Sequence, residues 1–183
     1  KDDKEHRVSV IACMYTRVFI VELLTGLFKA NIKRIEIIRD DIVNFFLSIV
    51  ESCTYLNLEI QAVVECSFDL ICACVNYNAT DPIHKFFSIL TAVTRLIPDT
   101  FQALAPLLAS GISVLIAEYN RTIAVIGCWD TIIEILQACL TVPHAMTRCY
   151  KCIILMFGND TVDSLPPSTL TLITQVLDSP DRK

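Results

Sequence analysis

The feature that most narrows the possible folds is a short tag met three times at nearly equal spacing. It reads Asn76-Tyr77-Asn78-Ala79-Thr80, Glu118-Tyr119-Asn120-Arg121-Thr122 and Phe157-Gly158-Asn159-Asp160-Thr161. The central asparagines are 42 and 39 residues apart. A weaker relative, Lys29-Ala30-Asn31, lies 47 residues before Asn78 and lacks the threonine. Each tag follows one long apolar stretch and precedes another. A mark that returns at this interval predicts stacked helical hairpins, because a single hairpin cannot bury its apolar face alone.

The stripes between the tags are helical. Ile42, Phe45, Phe46, Ile49, Val50 and Cys53 lie on one face of an α-helix within a segment from Ile32 to about Ser52. Upstream, residues 1 to 7 read as a solvated lead-in to a helix from Val8 to about Lys29, closed by Asn31, since Asn tolerates the left-handed conformation. From about Leu58 to Tyr77 a helix is apolar on two sides. Its one polar line is Gln61, Glu65 and Asp69, with Asn76 near the end. A second hairpin starts at Thr80-Asp81-Pro82, turns at Pro98 and ends at Tyr119, with Pro106 expected to kink or split its second helix. A third starts at Thr122, turns at Pro143 and stops at Gly158-Asn159. Ser168 to Leu177 opens a fourth unit.

Composition agrees. Apolar residues make up 54% and charged residues 19%, so ample apolar surface is available to offset chain entropy. Residues 42–178 carry 5 basic and 12 acidic side chains, a balance of −7 that disfavours nucleic acid. The longest uncharged run, Thr100 to Ala117, reads as a buried core helix rather than a membrane span. The charged N-terminus is unlike a signal peptide, and the missing Met and the lone fourth-unit helix read as a segment of a larger protein. The nine cysteines fall mostly inside apolar helical runs. They are expected to be reduced, which implies cytoplasm or nucleus. The three Asn-X-Thr tags are also glycosylation sequons, which keeps open a secreted or membrane-associated helical bundle.

Phe45-Phe46-Leu47-Ser48-Ile49, Phe86-Phe87-Ser88-Ile89-Leu90 and Ile132-Ile133-Glu134-Ile135-Leu136 align at steps of 41 and 46 residues. In period and pattern the chain resembles the HEAT and armadillo-like helical repeat families. The expected fold is all-α: a right-handed α-solenoid of about eight helices in one domain over residues 1–183. Its units span about 8–31, 32–78, 80–120 and 122–159, with a partial unit at 166–178. The resemblance implies a non-catalytic protein-interaction scaffold that binds another protein or a peptide along its inner helices (about 58–77, 98–119 and 143–157). Gln61, Glu65 and Asp69 are the expected protein-binding residues. The hairpin Phe86 to Tyr119 also looks like nuclear transport receptors of the importin-β class, which implies binding of cargo or Ran.

Residues that could carry chemistry are poorly placed for it. Cys149-Tyr150-Lys151-Cys152 is a CxxC with no second pair at zinc spacing, and no strand precedes it as in a redox motif. His6, His84 and His144 have no paired ligand spacing, Asp40-Asp41 reads as a solvated edge, and no Gly-rich phosphate loop is present. No catalysis, cofactor or metal is expected. Trp129 and the two Phe pairs read as core.

Overall fold

The computed structural model describes residues 2–34, 36–53, 58–158 and 165–178, with side chains from Ala12 onward except Ile37 and Asp178. Among the described residues the protein is all-α, with eight helices and no strand. They are α1 (Asp2–Ala30), α2 (Glu36–Glu51), α3 (Leu58–Asn76), α4 (Asp81–Val93), α5 (Pro98–Ile126), α6 (Trp129–Leu140), α7 (Pro143–Phe157) and α8 (Ser168–Asp178). The chain forms two compact units, Lys1–Ala92 and Val93–Lys183.

In the first unit the apolar stripes close over one another as their periodicity requires. Val21 and Phe28 of α1, Ile42, Phe46, Ile49 and Val50 of α2, and Phe86, Phe87, Ile89 and Leu90 of α4 are all buried. The Phe28 and Phe86 rings meet edge to face at 5.3 Å, a favoured aromatic geometry. The most extensive packing of this unit is between α1 and α3. Polar contacts fix their direction. Arg17 Nη1 donates to Glu59 at 3.4 Å, Thr25 hydrogen-bonds Cys66, and Lys29 Nζ donates to Asp69 at 3.0 Å. Both chains of partners ascend together, so α1 and α3 run parallel. Polar contacts also tie α2 to α4. Arg39 donates to Asp40 and to Asp81, and Lys85 Nζ donates to Asp40 at 2.5 Å. The hydrogen bond from Lys85, then that from Arg39, holds the Asp40 carboxyl below its ordinary pKa.

The second unit also packs helices two elements apart in sequence. Its most extensive packing is between α5 and α7, while α6 touches α5, α7 and α8. Cys152 Sγ donates to the Ala109 carbonyl at 3.3 Å and also hydrogen-bonds Ser113. Ser168 Oγ donates to Asp130 at 2.8 Å, and Arg95 lies 3.8 Å from Glu134. Of the described helices, α5 is long and apolar enough to cross a bilayer, with a mean hydropathy of 1.7. Within the unit 56% of that apolar window is buried, through residues such as Leu104, Leu108, Ile112 and Ile116.

The helix ends correct three sequence expectations. First, residues 2 to 7 belong to α1 rather than to a lead-in. Second, Pro106 does not split α5. The non-helical backbone lies at Tyr119 (φ −126°, ψ 19°). A proline removes one backbone donor, and its neighbours in α5 keep the helix through packing on α6 and α7. Third, the tag at Asn120 bends α5 but does not end it. Helix resumes to Ile126 and stops at Gly127, whose φ of +76° lets Gly127 and Cys128 donate back to Ala124 and Ile123. The third unit's first helix therefore begins at Trp129, not Thr122. The first tag behaves as expected. Asn78 has φ +55°, Asn78 N–H donates to Val75 and Ala79 N–H to Cys74, a Schellman closure with asparagine in the glycine position. Asn31 also closes its helix, with Nδ2 and backbone N–H both donating to the Leu27 carbonyl. Asn159 to Thr161 lie outside the described residues.

Candidate interaction surface

The sequence singles out Gln61, Glu65 and Asp69, and the structure sets them in one exposed row. Along α3 the neighbours Ile60, Val63, Val64, Phe68, Leu70 and Ile71 are buried on both sides of that row. The four-residue spacing brings each side chain over the next turn. Gln61 Nε2 donates to Glu65 Oε1 at 3.0 Å. Asp69 is engaged from the neighbouring helix by Lys29, both side chains being well exposed. An exposed pair of this kind is worth about 0–1 kcal/mol and opens readily for a partner. Glu65 therefore carries the negative charge of the row that no cation among the described residues neutralises. Glu59, one turn earlier, is different: it is buried, and half-exposed Arg17 reaches it.

The row leads to a cleft that the sequence reading did not single out. An open space of about 250 Å³ is lined by Lys29, Ala30, Asn31, Ile32, Lys33, Arg34 and Tyr77. It exists because α1 and α3 are parallel and end side by side, at Ala30 and Asn76. Three cations there complement the negative ends of two helices. The available signal was the basic content of residues 29–34 next to a helix-closing asparagine. Together the acidic row and the basic cleft make a face with opposite charge at its two ends. A second open cleft, of about 370 Å³, belongs to the second unit. Its lining includes Leu96, Pro98, Phe101, Gln102, Ala138 and Val142 and no ionisable side chain.

The residues considered for chemistry are accounted for by packing. Cys149 and Cys152 are fully buried on the inner side of α7. Desolvation pushes the Cys152 thiol up to about 12, and a hydrogen bond with Cys149, added to burial, drives Cys139 far above its ordinary value. Protonated thiols are poor nucleophiles and poor metal ligands. All nine cysteines are thiols, five of them buried and only Cys13 fully exposed. Among the described residues no group of three or more His, Cys, Asp and Glu side chains is placed to hold a metal ion. His84 and His144 are exposed, and the His6 side chain lies outside the described residues. Trp129 is in the core, at 3% exposure. Of the sequon asparagines, Asn78 is exposed, Asn120 is buried at 8%, and Asn159 lies outside the described residues.

Comparison with protein-family models, with curated proteins and with solved structures finds no match to this chain.

Proposed function

We propose that this chain is a protein-binding scaffold built as an α-solenoid of stacked antiparallel hairpins, in the manner of HEAT and armadillo-like repeats. One observation carries the proposal. The polar contacts between helices join residues 42, 40, 42, 45, 43 and 38 apart. That interval is the period of the sequence tags, and in both units it links helices two elements apart. Stacking of equivalent helices from successive hairpins produces this register. Such stacks present a long row of helices, and their recognition of other proteins rests on side chains along it, not on catalytic groups.

On this reading Gln61, Glu65 and Asp69 form the binding row, and Lys33, Arg34 and Tyr77 line its basic end. A matching partner is a protein or peptide segment with a cation for Glu65 and an acidic or aromatic group for the cleft. Nine thiols support a reducing compartment, the cytoplasm or nucleus. The burial of Asn120 favours this over a glycosylated, secreted bundle. The test is affinity purification with the wild-type chain and with the Glu65→Lys/Asp69→Lys variant. The expected result is loss of a specific captured protein at unchanged helix content. An identical captured set for both would rule out this row as the binding surface.

A further inference from the structure

Among the described residues of the first unit, a row of exposed large apolar side chains lies on α1, on the side turned away from α3. Tyr15 is 60% exposed, Phe19 62%, Leu23 47% and Leu27 45%. Their spacing of four residues winds them slowly across one face. Ala12, Thr16, Gly26 and Ala30 lie on the same face and are exposed. A side-chain carbon added at Gly26 would meet nothing within 4 Å. Of the described charged side chains of this helix, Arg17 turns to Glu59 and Lys29 to Asp69. A contiguous band of this size marks a contact surface.

The band is also symmetric about its midpoint. Residues equidistant from Val21 fall in the same broad class: Phe19 with Leu23 and Tyr15 with Leu27 are large, Thr16 with Gly26 and Ala12 with Ala30 small. Large residues thus stand level with large ones and small with small when the helix is laid against a reversed copy of itself. An isologous two-fold interface has this property, because residue i meets residue j and j meets i.

From this pattern we infer that α1 pairs antiparallel with α1 of a second copy, forming a two-fold dimer through the Tyr15–Leu27 band. The four large side chains of each copy expose about 400 Å², so two copies bring together about 800 Å², and about 1,200 Å² with the small residues between them. That is the low end for a specific interface. Glu22 borders the band near its midpoint and stands close to its own copy across the axis, which weakens the pair further. The dimer is therefore reversible, with a dissociation constant of about 10–100 µM.

The test is sedimentation velocity of the chain under reducing conditions, at concentrations from about 1 to about 300 µM, spanning that range. The expected result is a concentration-dependent shift from monomer to dimer. Phe19→Lys and Leu23→Lys each move the midpoint at least about tenfold upward, while Val114→Lys, on an exposed position of α5, leaves it unchanged. Because Phe19 and Leu23 are exposed, circular dichroism of these variants stays as in the wild type. Orientation is read by oxidation on a Cys13→Ser background. Thr16→Cys copies cross-link to Gly26→Cys copies when mixed, and neither cross-links to itself, because levels ten residues apart differ by about 15 Å along a helix. A chain that stays monomeric throughout, a dimer indifferent to Phe19→Lys, or self-linking Thr16→Cys would each overturn the inference. Loss of dimer does not touch the scaffold proposal, whose row lies on α3.

Discussion

Removing Arg17 gives the sharpest energetic prediction. Its guanidinium is 3.4 Å from Glu59, whose side chain is only 6% exposed while that of Arg17 is 47% exposed. At that distance the attraction is about 5 kcal/mol with an effective dielectric constant of 20. Desolvation of the carboxylate takes back much of it, and solvent screening of the open arginine side takes more, so the net value of the pair is about 1–2 kcal/mol. Breaking it costs more than it is worth intact. Arg17→Met leaves a carboxylate inside the α1–α3 interface without its partner, and urea unfolding should show a loss of about 2–4 kcal/mol. Arg17→Met/Glu59→Met restores apolar packing to both sides and should recover most of that loss. The double-mutant cycle should return a coupling energy of about 1–2 kcal/mol. A coupling below about 0.5 kcal/mol, with losses that simply add, would refute the claim that α1 and α3 lie parallel in this register.

Two further outcomes follow from helix ends and buried thiols. Gly127→Ala should destabilise the second unit by about 1–2 kcal/mol through backbone strain alone, since φ is +76° and an added side-chain carbon meets nothing within 4 Å. Asn78→Gly at φ +55° should be neutral or mildly stabilising, and equal effects at the two sites in thermal melts would contradict this. Burial lifts Cys74 to about 12, Cys128 to about 11 and Cys152 to about 12, from an ordinary value of 9.0. The unfolded chain loses those protons first, so stability is complete below pH 9 and falls as pH rises toward 11–12, by about 1.4 kcal/mol per pH unit for each thiol. Urea midpoints at pH 7.5, 9 and 10 should show the decline, and Cys152→Ala should reduce its slope by about a quarter, since Cys139 is raised as well. A flat profile would exclude the thiols as its cause.

Much of the fold was legible because apolar stripes at helical spacing report which side of each segment is covered. Ile42, Phe46, Ile49 and Val50, or Ile132, Ile135, Leu136 and Cys139, are buried as their offsets require. Boundaries were less legible where two signals competed. Asn120-Arg121-Thr122 copies the tag that ends α3, yet here the asparagine is buried and packing carries the helix one turn further, to Gly127. Local residue chemistry could not reveal that, because the deciding contacts come from elsewhere in the fold. Pro106 stays within a continuous helix for the same reason. The row Gln61, Glu65 and Asp69 was visible as the gap in an otherwise apolar helix. The cleft beside Tyr77 was not, because it depends on two helices ending at the same level, which only their parallel alignment provides.

Zero-length carbodiimide cross-linking, followed by peptide mapping, tests the central claim most directly. It joins lysine amines to carboxylates only where they already touch. The repeat register requires links from Lys29 to Asp69 and from Lys85 to Asp40, on helices apart in sequence, at 3.0 and 2.5 Å. Recovery of both would fix parallel packing at the forty-residue interval in the first unit. Their absence, with Lys29 and Lys85 joined to other carboxylates instead, would contradict the repeat register and the scaffold built on it.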